Sequence, residues 1–217
     1  PALGAPNTLL INDGNANFTK DESGILPTTN GATQDIEAGD LDGDGDLDLV
    51  IGNENGNEVW INNDGKFADM TELLLPAPNA PVETREVDLA DIDNDGDLDL
   101  FVANVGWRGL NARNLLYTND GDGKFTNVTS RQMPTNLEWT LDVEFADLDN
   151  DDDLDIVLGQ HDQNGQSLPI RVLTNDGSGT FQDDTANWVP PLAMVHTIDI
   201  ELADFNNDGT PDLYIAN

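Results

Sequence analysis

Acidic and apolar residues alternate with a period of two in four short stretches: Asp35-Ile36-Glu37-Ala38, Glu86-Val87-Asp88-Leu89, Asp142-Val143-Glu144-Phe145 and Asp199-Ile200-Glu201-Leu202. That period is the mark of a β-strand, not of a helix. After each comes a compact run bounded by Gly or Asn, as in Leu49-Val50-Ile51, Leu100-Phe101-Val102, Ile156-Val157-Leu158 and Leu213-Tyr214-Ile215. These read as second strands. A third strand (Val59-Trp60-Ile61; Leu115-Leu116-Tyr117) runs into Asn-Asp-Gly, and a fourth opens at the aromatic beyond it. Asn, Asp and Gly tolerate positive φ, so this tripeptide between apolar runs predicts a tight hairpin. No helix is expected.

The same features recur at a period of 51 to 57 residues. The Asn-Asp-Gly turns place their acids at Asp13, Asp64, Asp120 and Asp176, and prolines follow at Pro27, Pro76, Pro134 and Pro190. A threonine opens each first strand, at Thr33, Thr84, Thr140 and Thr197. Four copies of a four-stranded antiparallel unit predict an all-β fold, a β-propeller, occupying residues 1–217 as a single domain. The chain opens with third- and fourth-strand material (8–19) and ends with first- and second-strand material (197–216). The expectation is therefore that 9–12 and 214–217 pair, closing a four-bladed ring and removing two exposed edges. Because the chain begins with Pro1 rather than Met, it also reads as a piece of a longer product.

Charge changes the picture. Eight Lys and Arg stand against 43 Asp and Glu, a formal net charge of −35, which argues against a nucleic-acid partner. A hydrophobic share of 37%, with four Trp and seven Phe, argues for a packed core over a disordered acidic chain. There is no cysteine to form a disulfide. No apolar run approaches the ~18 residues that span a bilayer, so membrane insertion is not expected.

The acids are organised into four strings between first and second strands, at 40–48, 91–99, 147–155 and 204–212. Calcium takes six to eight hard oxygen ligands, and Asp or Asn at alternate positions of a tight turn supplies them. The spacing assigns as side-chain ligands Asp40, Asp42, Asp44 and Asp48, then Asp91, Asp93, Asp95 and Asp99. The third and fourth sets are Asp147, Asp149, Asp151 and Asp155, and Asp204, Asn206, Asp208 and Asp212. Backbone carbonyls of Asp46, Asp97, Asp153 and Thr210 complete them, giving four Ca²⁺ sites. Glycine at the sixth position (Gly45, Gly96, Gly209) permits the bend, and Asp152 replaces it in the third loop. Position twelve is apolar (Ile51, Val102, Leu158, Ile215), where a helix–loop–helix calcium site has glutamate.

These strings and their frame resemble the FG-GAP/VCBS repeats, the propeller blades of integrin α-subunit heads and of many secreted bacterial and fungal proteins. The resemblance spans residues 7–217. It implies calcium on the hairpin between first and second strands and an extracellular or cell-surface binding module for glycan or protein. The rival class is a secreted polysaccharide lyase or hydrolase on a propeller scaffold. No catalytic constellation stands out: His161 and His196 fall in no nucleophile or metal motif. Catalysis needs something unrepeated, whereas the first-strand acids recur in every unit and read either as an acidic channel for a cation along the propeller axis or, the favoured reading, as hydrogen-bonding partners of neighbouring backbone and of the repeat threonines. Trp107 and Arg108, in the longest loop between second and third strands, are the candidate ligand-binding pair. Trp139 and Trp188, near blade junctions, either extend that pair into an aromatic sugar- or peptide-binding surface or, the favoured reading, wedge between blades.

Overall fold

The computed structural model describes residues 6–28, 31–78, 80–110, 112–135, 139–161, 170–190 and 197–216. The expected strands form. The first complete blade is β3 (Thr33–Gly39), β4 (Asp48–Asn53), β5 (Glu58–Asn63) and β6 (Lys66–Asp69), antiparallel and in sequence order. The second is β7 (Glu83–Ala90), β8 (Asp99–Val105), β9 (Leu115–Thr118) and β10 (Thr126–Asn127). The third is β11 (Thr140–Ala146), β12 (Asp155–Gln160), β13 (Arg171–Asn175) and β14 (Phe181–Asp183). At the ends stand two hairpins, β1 (Leu10–Asn12) with β2 (Phe18–Lys20), and β15 (Asp199–Ala203) with β16 (Asp212–Ala216).

The core lies between blades, as in a propeller whose sheets pack face to face. Val50 and Val59 of the first blade meet Val87, Leu100, Val102 and Tyr117 of the second. Phe101, Ala103 and Leu116 in turn meet Val143, Ile156 and Leu158 of the third. Val157, Ile170 and Val172 then meet Ile200, with Leu202, Leu213 and Ile215 packed against them. First strands are also stapled by side chains. Asp35 accepts from the N–H of Val87 at 3.0 Å, Glu86 from that of Val143 at 2.7 Å, and Asp142 from that of Ile200. The first acid of each of the strands β3, β7 and β11 thus bonds backbone of the next blade, which bears out the sequence reading for those three acids.

Two expectations are corrected. Among the described residues, which do not include 217, the terminal hairpins do not pair with each other but form separate two-stranded sheets. The N-terminal segment is fastened to the first blade, where Asn7 Nδ2 donates to Thr33 Oγ1 and Phe67 N donates to Ile25 O. The C-terminal one is fastened to the third through Asp142 and Ile200. Apolar side chains on both remain open to solvent, including Phe18, 62% exposed, and Tyr214, 64% exposed.

Helices are also present, as single turns after the fourth strands: α1 (Thr71–Leu74), α2 (Thr129–Gln132) and α3 (Thr185–Trp188). Their shared opening threonine explains them. Its Oγ1 accepts from a third-strand N–H, at 2.9 Å for Thr71 and Val59, 2.9 Å for Thr129 and Leu116, and 3.0 Å for Thr185 and Val172. A turn too short for any 3.6-residue pattern is thereby set by hydrogen bonding alone.

Candidate metal centre

Each aspartate string leaves the end of a first strand and returns into a second, so the pairing of β3 with β4, of β7 with β8 and of β11 with β12 fixes its ends. The turn itself is built from carboxylates that accept backbone N–H groups. The first acid takes the N–H of position six: Asp40 from Gly45 (3.0 Å), Asp91 from Gly96 (3.0 Å), Asp147 from Asp152 (3.2 Å) and Asp204 from Gly209 (2.9 Å). The fifth accepts from two residues on, at 2.8 Å for Asp44 and 3.1 Å for Asp151. Positive φ falls at position six (Gly45 93°, Gly96 98°, Asp152 71°, Gly209 91°), so the bend is made even where aspartate replaces glycine. A second left-handed residue stands at position four (Gly43, Asn94, Asn150, Asn207), and its Gly/Asn restriction was visible in the sequence.

The ninth acid is buried and doubly bonded. Asp48 accepts from Leu41 N and Asn62 N, Asp99 from Ile92 N and Asn119 N, and Asp155 from Leu148 N and Asn175 N. Burial pushes Asp99 up to about 7 and raises Asp48 and Asp155 as well. At position three, Asp42, Asp93 and Asp149 are raised by desolvation and by the like charge of Asp44, Asp95 and Asp151.

In three loops the acids at positions one, three and nine converge. Oxygens of Asp40, Asp42 and Asp48 lie within 4.8 Å of one another, as do those of Asp91, Asp93 and Asp99 and of Asp147, Asp149 and Asp155. These residues fit a hard divalent cation. All donors are carboxylate oxygens, and Asp40 Oδ1 and Asp93 Oδ1 are buried without a hydrogen-bond partner. Asp44, Asp95 and Asp151 do not belong to these triads. Nor does a triad of acids form at 204–212, where Asn206 occupies position three. There the hydroxyl and N–H of Thr210 hold Asp208 below the usual carboxylate range.

One group of residues was missed. Asn119 Nδ2 donates to Leu41 O at 2.9 Å and to Leu98 O at 3.2 Å, and Asn175 Nδ2 donates to Ile92 O at 2.7 Å and to Leu154 O at 3.1 Å. The hairpin of one blade is thus tied to the aspartate loop of the blade before it. Asp122 beyond the same turn adds like charge to Asp42. The constant distance between the two motifs was the only signal.

At the opposite end of the strands, Trp107 opens a 3₁₀ turn, Trp107–Gly109, and is half-buried. The Arg85 guanidinium lies 4.0 Å over its ring, and His161 meets it edge-on at 6.4 Å. The side chain of Arg108, like all of His196, lies outside the described residues. Trp139 is a wedge: its ring lies so close to Gly106 that a Cβ there would meet it at 2.8 Å. Trp188, 41% exposed at the end of α3, is not.

Among known proteins, the model for the FG-GAP-like repeat matches residues 4–51, 40–102, 91–158 and 153–215. The chain is 27% identical over 194 residues to cartilage acidic protein 1 of Mus musculus, covering 85% of this chain and 29% of that protein. To the Homo sapiens protein it is 24% identical over 192 residues, covering 85% and 28%. It therefore spans less than a third of those relatives. A solved lectin of Agrocybe aegerita, studied for specific recognition of non-reducing terminal N-acetylglucosamine, aligns with 97% of this chain and 51% of its own. The identity is 21% and the TM-score 0.47.

Proposed function

Because the chain belongs to the FG-GAP-like repeat family, we propose that it is a calcium-binding extracellular propeller module whose work is binding glycan or protein, not catalysis. One observation carries the metal reading: the same three loop positions bring aspartate oxygens together in three successive blades. Asp40, Asp42 and Asp48, Asp91, Asp93 and Asp99, and Asp147, Asp149 and Asp155 would hold the ion. Their neighbours at positions five and seven, Asp44, Asp46, Asp95, Asp97, Asp151 and Asp153, would complete each shell. The loop containing Asp204, Asn206, Asp208, Thr210 and Asp212 would be a fourth, less charged site.

Bound calcium would supply charge neutralisation there. The chain's own residues do the rest: the N–H of position six orients the first carboxylate, and the hairpin asparagine anchors the loop to the next blade. Blades tied together in this way give a scaffold from which the remaining loops present a binding surface.

Titration calorimetry with Ca²⁺ tests the metal reading, with up to four sites expected. A glycan array probed with and without EDTA tests the second half, with calcium-dependent capture expected. Hydrolysis or eliminative cleavage of an arrayed polysaccharide would favour the enzyme class instead.

A further inference from the structure

The end of the blades opposite the aspartate loops carries a group of residues that nothing in the repeat demands. Arg85 occupies the place taken by Gln34, Leu141 and Ile198 in the other repeats, so its charge is unrepeated. It is held on three sides. Trp107 lies beneath it, Nη1 donates to Gln34 Oε1 at 2.6 Å, and Nη2 stands 3.6 Å from the buried carboxylate of Glu83. Its Nε is buried without a hydrogen-bond partner. A guanidinium held over an indole and hydrogen-bonded in place is pre-organised for a planar anion, since little further side-chain entropy is lost on binding.

The surroundings point the same way. His161, from the end of β12, closes the edge of Trp107. Trp139 holds a left-handed backbone (φ 63°), which is a strained state for a bulky side chain. Its main chain is clamped from both sides, its N–H donating to Ala112 O and its carbonyl accepting from His161 N. Three of the chain's five arginines, Arg85, Arg108 and Arg113, fall at this end of the second blade, whereas the aspartate strings crowd the other. A cleft of about 540 Å³ opens on the same side, lined by Glu54, Asn55, Gly56, Pro81, Val82 and Leu110. Val82 adjoins Glu83, and Leu110 follows the turn that carries Trp107. That volume lies within the range of small-ligand sites.

We propose that this end is a binding site for an acidic saccharide, its carboxylate taken by Arg85 and its sugar ring stacked in the aromatic group of Trp107 and Trp139. The site rests on the reading of the protein as a binding module and names the ligand class. A matched pair of probes isolates the carboxylate: cellotetraose and its C6-carboxylated counterpart, each titrated in calcium-replete buffer. The carboxylated tetramer should bind at least ~10-fold more tightly, the scale of a charge-assisted hydrogen bond. Arg85→Gln should abolish that preference, Arg85→Lys should restore part of it, and Trp107→Ala should weaken both probes. Thermal melts of each variant in calcium identify any that fail to fold, and the carboxylated-to-neutral ratio of the wild-type protein decides the matter in that event. Equal affinities for the two probes, or an unchanged ratio in folded Arg85→Gln, overturn the proposal. If neither tetramer binds but the array captures other glycans, this site alone is refuted. An array with no capture at all refutes the binding reading beneath it.

Discussion

Glu86 of the second blade accepts a hydrogen bond at 2.7 Å from the backbone N–H of Val143, the first strand of the third. The carboxyl group is largely buried and shares a hydrogen bond with Asp142, and desolvation followed by the charge of Asp142 pushes it up to about 10. Asp88 and Glu144 on the same strands are pushed up to about 6 and about 7, chiefly by burial. Glu86, Asp88 and Glu144 therefore hold their protons well above the ordinary carboxylate range.

This sets a pH dependence whose sign is fixed. A group bound to its proton more tightly when folded contributes its full stability below its unfolded pKa and loses it as pH rises through the folded value. The window for Glu86 runs from 4.5 to about 10. Calcium-free protein should lose stability steadily between about pH 5 and about pH 8. Glu86→Gln keeps an acceptor for Val143 but cannot ionise, and should flatten the trend. Urea midpoints across that range measure it, and parallel slopes for the two proteins would contradict it.

Metal removal should destabilise the loops far more than any single side-chain change. Binding to the folded state alone adds roughly 2.7 kcal/mol per site when calcium is ~100-fold above its Kd. EDTA should lower the melting temperature substantially. Ca²⁺ should restore it better than Mg²⁺, whose strict octahedral geometry suits flexible carboxylate loops less well. A melting curve indifferent to EDTA sinks the calcium assignment.

Site inequality follows from Asp152 and Asn206. Asp152 takes φ 71° where all three sister loops have glycine, so Asp152→Gly should stabilise the protein by about 0.5–1 kcal/mol, part of the left-handed strain being offset by chain entropy. Calorimetry should show a greater loss of tight calcium binding for Asp40→Ala than for Asp147→Ala. Equal losses would count against it.

Asn119→Ala tests the tie between blades. It removes hydrogen bonds to the buried carbonyl of Leu41 and the partly buried carbonyl of Leu98, and should cost about 1–3 kcal/mol. Calcium affinity of the loop at 40–48 should fall with it, although the substituted residue lies in another blade. Unfolding by denaturant together with calcium titration reads both effects.

Strands, hairpins and aspartate loops were legible because each is local: alternation gives the strand, Asn-Asp-Gly the turn, and alternate acids the loop. The stapling of Asp35 to Val87 was foreseen only in kind, because a repeated acid announces a shared role without naming its partner. Thr71, Thr129 and Thr185 were passed over, since a one-turn helix leaves no periodicity. The state of the two terminal hairpins was misjudged. Strand chemistry establishes that residues 9–12 are third-strand material, but which sheet receives them depends on how blades stack. The stacking of Arg85 on Trp107 depends likewise on packing across a β-bulge between Thr84 and Glu86 and a long loop.

The asparagine ties span 78 residues from Asn119 to Leu41 and 83 from Asn175 to Ile92. A ribosome adds about 5–20 residues per second, so the first aspartate loop emerges roughly 4–16 seconds before the side chain that fastens it to its neighbour. During that interval the nascent loop has its own strands but no lock. Synthesis thus advances as a relay in which every blade is completed by the one translated after it, and a ribosome paused within the second blade leaves the first unsealed.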